Sequence, residues 1–377
     1  MSTLATNAIT DASGGNTATI NSYTPTESNM AGRNLIINGD MRVAQRGTVA
    51  TGGSTGLHYG GPDRWRMYQE NTAVAYTLSQ DTNAPDGFGS SFKIDVTTAD
   101  ATVDAVDRVD FIYRFEGQEL QQIAKGTANA TTMTLSFWVS SPKTGTHIVE
   151  FFDNDNSRQV SIPYTVNAAN TWEKKELLVP ADTVGTFDNG VNLSLQISWW
   201  LMAGSNYSGG TLSTSWSSVT GANRAVGQVN VFDNTSNNFY LTGVQLEAGS
   251  VATPFERRQY GQELALCQRY YEKSYDAATV PGTATTTSFG NAGNTGQSDG
   301  TKNGCVLVFK VPKRVSANMA YWDGAGTSNR FTTRHSNTWY NGRILTAVSA
   351  GENSAVIDAG TGVQAPMLVH YTASAEV

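Results

Sequence analysis

The clearest chemical signal in this sequence is a pair of tryptophans on otherwise polar strand faces. Trp138 falls out of phase with Met133, Leu135, Phe137 and Val139, and Trp200 falls out of phase with Leu193, Leu195, Ile197, Trp199 and Leu201. An outward indole is costly to leave in water and offers a flat platform for the apolar face of a pyranose ring. Gln196 and Ser198 share the face of Trp200 and could bond sugar hydroxyls. The competing expectation is that a second sheet, a loop or a sister subunit covers both indoles. Trp216, Tyr207 and Tyr68 are further aromatic candidates, and His335 with Arg334, Trp339 and Tyr340 forms a second candidate recognition patch.

Other chemistries are less well supplied. Asp153-Asn154-Asp155-Asn156 alternates oxygen ligands as a calcium loop does, but lacks the Gly and distal Glu of an EF-hand. An Asx-rich hairpin turn explains the run without metal. Gly52-Gly53-Ser54-Thr55-Gly56 matches GxSxG, yet it lies in a Gly/Thr loop rather than between a strand and a helix. His58, His147, His335 and His370 are scattered, with no ligand spacing. A glycosidase needs two carboxylates across a groove. Pairs such as Asp107 with Asp110 can be nominated, and none ranks above the others, so no enzyme is expected. Cys267 and Cys305 show no CxxC; they form one disulfide or two partly buried thiols.

The elements that would position these residues are strands. The chain has 377 residues, 39% hydrophobic and only 15% charged, with 37 Gly. That composition favours many short strands joined by turns. The net charge of −7 and the lack of a basic run argue against nucleic acid. No apolar run reaches bilayer length, and no signal peptide is read at the N-terminus.

Residues 1–33 form a Thr/Asn/Ser/Gly-rich segment, with Ile9 and Ile20 flanking a turn-rich stretch that could pair as a hairpin in an assembly. Residues 34–253 read as an all-β sandwich, with strands at Asn34–Asp40, Val109–Phe115, Met133–Val139, Val149–Phe152, Leu193–Met202 and Phe239–Leu246. A helical connector covers 254–276, with Thr253 as N-cap and Pro254 at the first helical position. Its stripe of Tyr260, Leu264, Cys267 and Tyr271 either docks on the sandwich or meets symmetry mates as an oligomerisation seam. Residues 277–377 read as a smaller C-terminal β domain, with a buried strand at Cys305–Val311.

Several segments together resemble a fibre family of tailed bacteriophages. They are Ile9–Asn16 (ITDASGGN), Arg33–Met41 (RNLIINGDM), Gln45–Gly47, Asp63–Trp65, Leu135–Val139, Leu241–Gly249 (LTGVQLEAG), Ala252–Glu256 and Cys267–Tyr271 (CQRYY), and at the C-terminal end Phe309–Pro312 and Ala373–Val377. The resemblance implies a galactose-binding, carbohydrate-binding-module-like jelly roll in the middle of the chain. It also implies a homotrimer and a tail-fibre or host-recognition role in the virion. Asp40 matches the first acidic ligand of calcium-binding relatives, whereas Gly243 stands where they resemble Asp, which argues against a calcium cofactor. The expected partners are sister subunits, other tail or baseplate proteins met through the N-terminal segment, and host surface polysaccharide. A purely structural fibre and a tailspike-like depolymerase are the two alternatives.

Overall fold

The structure is a computed structural model that describes residues 32–52, 55–292, 303–336, 338–359 and 367–377. The hairpin expected around Ile9 and Ile20 lies outside these residues. Thirteen strands build the sandwich: β1 (Val49–Gly52), β2 (Gly56–Tyr59), β3 (Arg66–Glu70), β4 (Ala75–Asp81), β5 (Ser91–Thr98), β6 (Arg108–Glu116), β7 (Met133–Ser140), β8 (Gly145–Asp153), β9 (Arg158–Val166), β10 (Glu173–Val179), β11 (Leu193–Ala203), β12 (Ser217–Ser218) and β13 (Phe239–Ala248). They form a six-stranded sheet ordered β1-β4-β5-β13-β7-β10 and a seven-stranded sheet ordered β12-β9-β8-β11-β6-β3-β2. All the pairings are antiparallel, and the chain is an all-β jelly-roll sandwich.

Period-two alternation builds the core. Val109, Phe111, Tyr113 and Phe115 of β6 point inward with Leu195, Ile197 and Trp199 of β11, and meet Leu135, Phe137 and Val139 from β7. Trp65 sits at the centre, stacked on Phe111 at 5.1 Å and tilted against Trp199 at 5.6 Å. A bulge in β11 between Trp200 and Met202 shifts the phase, so Leu201 and Met202 both reach this core.

Two expected elements differ. Asn34–Ile36 is not a ladder strand; it is tied to β13 through Leu35 N–H to the Leu246 carbonyl and the Asn34 side chain to Val244 and Leu246. The helix α2 (Tyr260–Gln268) begins well after Thr253. Thr253 and Glu256 are captured elsewhere: the Thr253 amide donates to Glu247 at 3.1 Å, and the Glu256 amide donates to Gln245 at 2.7 Å. The Glu256 carboxylate accepts from the amides of Gly32 and Asn34. These bonds hold the segment out of helical geometry. Of the proposed oligomerisation stripe, Cys267 and Tyr271 are buried within the chain, Leu264 is half-buried and Tyr260 is exposed. Cys267 is a free thiol.

After α2 come β14 (Tyr271–Lys273), β15 (Gly290–Ala292), β16 (Asn303–Val308), β17 (Asn318–Trp322), β18 (Arg330–His335), β19 (Thr338–Ala350), β20 (Ser354–Ala359) and β21 (Met367–Ser374). They form a third sheet with its own core of Leu307, Phe309, Tyr321, Phe331, Ile357, Val369 and Tyr371.

A buried ion network joins this sheet to the sandwich. Glu376 accepts from Arg46 Nη2 at 2.7 Å and Arg64 Nη1 at 2.8 Å, and all three side chains are at least nine-tenths buried. Arg64 lies 3.4 Å from the centre of the Tyr270 ring, and Arg46 lies 3.8 Å from that of Tyr271. Arg269 forks onto Glu116 at 3.0 and 2.8 Å. Burial raises the Glu376 carboxyl, but Arg46 and Arg64 outweigh it and hold the group below its ordinary range.

Glu376→Ala would leave buried Arg64 without its carboxylate and Arg46 with only Asp63 at 3.4 Å, and should cost about 3–5 kcal/mol, read as a lowered urea midpoint. A second outcome concerns His147, buried with Nε2 on the Lys143 carbonyl at 3.0 Å and Nδ1 without a partner. Burial pushes its imidazole down to about 4. The unfolded chain therefore takes that proton first, and stability is lost as pH falls from ~6.5 towards ~4, by about 3 kcal/mol for this group. His147→Phe should flatten that part of the stability–pH curve.

Candidate functional site

The outward face of the seven-stranded sheet is a patterned polar surface. Register places Arg66, Ile112, Ser198, Glu150 and Ser161 in one row across β3, β6, β11, β8 and β9. The next row holds Tyr68, Asp110 and Trp200, and the row on the other side holds Arg114, Gln196, Phe152 and Gln159. A groove of about 280 Å³ runs over them, lined by Tyr68, Arg108, Ile112, Arg114, Phe152, Gln196 and Arg224, with Asn154 and Leu193 at its edge. From β3 to β8 it crosses four strands, roughly 14 Å at ordinary strand spacing, room for two or three sugar rings.

Salt bridges hold the walls. Arg108 forks onto Asp110 at 2.8 and 3.0 Å, and Arg224 forks onto Glu150 at 2.7 and 2.9 Å. The Arg108 guanidinium also lies 4.9 Å from the Tyr68 ring, and Arg224 lies 5.4 Å from that of Phe152. Gln196 bridges two neighbours: its Oε1 accepts from Arg114 Nε at 2.7 Å and its Nε2 donates to Ser198 Oγ at 3.0 Å. The arrangement offers aromatic and apolar surface beside fixed donors, the combination that holds a polyhydroxylated ligand.

Trp200 is not an exposed platform. It points outward from the core as its phase predicts, but it is fully buried under Tyr207 and between the guanidiniums of Arg108 (4.8 Å) and Arg224 (5.3 Å). Its Nε1 donates to Glu150 at 3.1 Å. The loop after β11, carrying the short helix α1 (Ser205–Ser208), folds back over it because a bare indole and a charged pair are both better covered. Gln196 and Ser198 are buried too, so they act from the floor of the groove.

Trp138 lies on the opposite sheet. It is half-buried, packed where Gly243 bends β13 with φ +61; a Cβ there would meet Phe88 at 2.7 Å and Trp138 at 3.0 Å. Trp216 is half-buried against the core, its Nε1 on the Pro180 carbonyl at 2.8 Å. In the third sheet Arg334 pairs with Trp339 across the β18–β19 hairpin, 4.8 Å over its ring, and Tyr340 is exposed. His335 ends β18, and its side chain lies outside the described residues.

Two of the calcium candidates are met by cations of the protein and the third by a backbone amide. Asp153 is buried against Lys125 Nζ at 2.5 Å, Asp155 caps the amide of Asp188 at 3.0 Å, and Asp40 pairs with Arg42 at 3.1 Å. Among the described residues no group of three His, Cys, Asp or Glu could hold a metal. Of the GxSxG run, Gly53 and Ser54 lie outside the described residues, while Gly52 ends β1 and Gly56 opens β2, so no helix follows the serine position. A cleft of about 320 Å³ near α2 is lined by Arg42, Tyr260, Lys273 and Lys310. There Lys273 Nζ is already bound to the carbonyls of Ala277 and Thr279 at 2.8 and 2.7 Å. Among the described residues no helix is long and apolar enough to cross a membrane.

The residues missed from the sequence are the arginines, Arg66, Arg108, Arg114 and Arg224. A signal existed: once Val109, Phe111, Tyr113 and Phe115 face inward, Arg108, Asp110, Ile112 and Arg114 must face outward.

No protein-family model matches the chain, and no curated protein matches it. Solved structures align with the chain at low identity and low TM-score. One is the enzymatically active domain of tailspike protein 4 of bacteriophage CBA120, at 16% identity and TM-score 0.27, covering 49% of this chain. This chain spans only about a fifth (19%) of that structure. A family 4 carbohydrate-binding module aligns at 13% identity and TM-score 0.28, covering 56% of this chain and 97% of its own. The family 11 module of Clostridium thermocellum cellulase Lic26A-Cel5E aligns at 12% identity and TM-score 0.28, covering 53% and 98%. The strand order described above, not these alignments, defines the jelly roll.

Trp200→Ala should act on stability rather than on ligand contact. It removes a buried indole and the donor to Glu150, at about 3–5 kcal/mol in chemical denaturation. Tyr68→Ala, on the groove wall, should stay within ~1 kcal/mol of the parent.

Proposed function

We propose that this chain is a non-enzymatic fibre subunit of a tailed-phage virion that recognises host surface glycan through the outer face of its seven-stranded sheet. The observation that carries the reading is the groove itself. It is open, crosses several strands, and sets Tyr68 and Phe152 beside oriented guanidinium and amide donors. Its carboxylates Asp110 and Glu150 are each forked onto an arginine, an arrangement suited to binding rather than to proton transfer.

The subunit acts as a homotrimer attached to other tail or baseplate proteins through residues 1–33. Support for self-association comes from the outer face of the third sheet. Val306 faces Val356 across β16 and β20, and Val308 and Ile344 are 74% and 62% exposed on the same side. Apolar sheet surface of this kind is ordinarily covered by a partner. Three linked groove sites would raise weak single-site affinity by orders of magnitude. The same apolar face favours the second reading, a structural fibre that contacts partners and binds no receptor.

The test is light scattering on purified full-length protein, followed by a glycan array on the same sample. A trimer that binds particular glycans, with at least tenfold weaker binding in Tyr68→Ala and none of that loss in Trp138→Ala, is expected. A trimer that binds neither glycan nor host cell would replace this reading with the structural one. A monomer at working concentration would overturn the fibre assignment.

A further inference from the structure

We infer that the groove takes an acidic glycan, and that Arg114 is the residue that pairs with a sugar carboxylate. This rests on the glycan-binding reading above and assigns the class of ligand.

The argument is an accounting of charge on one sheet face. Arg108 and Arg224 have carboxylate partners within the protein, Asp110 and Glu150. Glu70, at the rim, accepts from the Tyr207 hydroxyl at 3.3 Å. Arg114 forms no ion pair with an Asp or Glu side chain among the described residues. Its Nε is held by the neutral Gln196, its Nη1 reaches the main-chain oxygen of Val377 at 3.4 Å, and among the described residues no hydrogen bond is seen from its Nη2. Arg66 is also buried and, among the described residues, forms no ion pair with an Asp or Glu side chain, though the charge of Glu376 reaches it. It donates to the Tyr59 hydroxyl through Nη1, and its Nη2 is enclosed and unbonded.

These two guanidiniums lie diagonally across β3 and β6, because Arg66 stands opposite Ile112, two residues before Arg114 on the same face. Like charges so placed repel each other. Burial first, then the charge of Arg66, push Arg114 down to about 10, with Arg108 adding to the shift and Tyr59 and Asp110 opposing it.

The geometry favours a carboxylate on a sugar. A guanidinium is a planar fork that matches a carboxylate, and Gln196 fixes its plane by occupying Nε. Ile112 on the floor and the rings of Tyr68 and Phe152 on either side supply apolar surface for the pyranose carrying it. A free anion would use the charge and leave that surface idle.

The experiment uses full-length protein on a panel of bacterial capsular and O-chain polysaccharides, each in native and carboxyl-reduced form, with dextran and dextran sulfate alongside. Binding to uronate-bearing polymers that falls at least tenfold on carboxyl reduction is expected. So is a loss of similar size on the native polymers in Arg114→Gln. Carboxyl reduction alters the ligand alone, so that arm stands even if the variant folds poorly. Equal binding before and after reduction, or a preference for neutral polymers, would overturn the acidic assignment and leave glycan recognition intact. Binding to dextran sulfate but to no uronate polymer would overturn the carboxylate assignment. Failure to bind any member would overturn the glycan reading itself.

Discussion

A guanidinium can be buried only where something pays for its lost hydration, and much of this molecule is organised around meeting that condition. Removing one ion from water costs several kcal/mol, and an imperfect partner does not repay it. Arg64 and Arg46 meet the cost with both oxygens of Glu376 and with the faces of Tyr270 and Tyr271. The pairing locks the third sheet's last strand against the sandwich, where Ala375 N–H also donates to the Tyr270 carbonyl at 2.7 Å. Arg64 holds a left-handed φ of +76°, a conformation that surrounding contacts must maintain.

The same residue reaches the functional face. Arg64 Nη2 donates to the Arg114 carbonyl at 2.7 Å, so the clamp that joins the two sheets also holds the strand that lays Arg114 in the groove. On the outward face the rule is applied unevenly. Arg108 and Arg224 each fork onto a carboxylate, whereas among the described residues Arg114 and Arg66 form no ion pair with an Asp or Glu side chain. Arginines forked onto carboxylates stiffen the walls.

Trp200 illustrates why an outward residue need not be an exposed one. Alternation sends it to the face opposite the core, but a chain with long connections can fold a loop over that face. Here the loop from α1 to Arg224 makes a small second cluster with Ile148 and Ala225. The indole then serves as a spacer between two guanidiniums. Tyr68, two strands away, stays half-buried, with part of its surface in reach of solvent.

By itself the sequence determined the all-β class, the strands from Val109, Met133, Leu193 and Phe239, and which residues of each face inward, because two-residue alternation is local and strong. It also nominated the outward face of β11 as a candidate, through Trp200 with Gln196 and Ser198 beside it. Only the tertiary structure decided that Trp200 is roofed, that Thr253 caps no helix, and that the groove is lined with arginine. The physical reason is that each of these outcomes depends on partners distant along the chain. Glu247 and Gln245 hold the Thr253–Glu256 segment out of a helix, and Tyr207 and Arg224 cover the indole. The charge left on Arg114 is set by which carboxylates arrive beside it, and no local pattern records which side chains the fold will bring together.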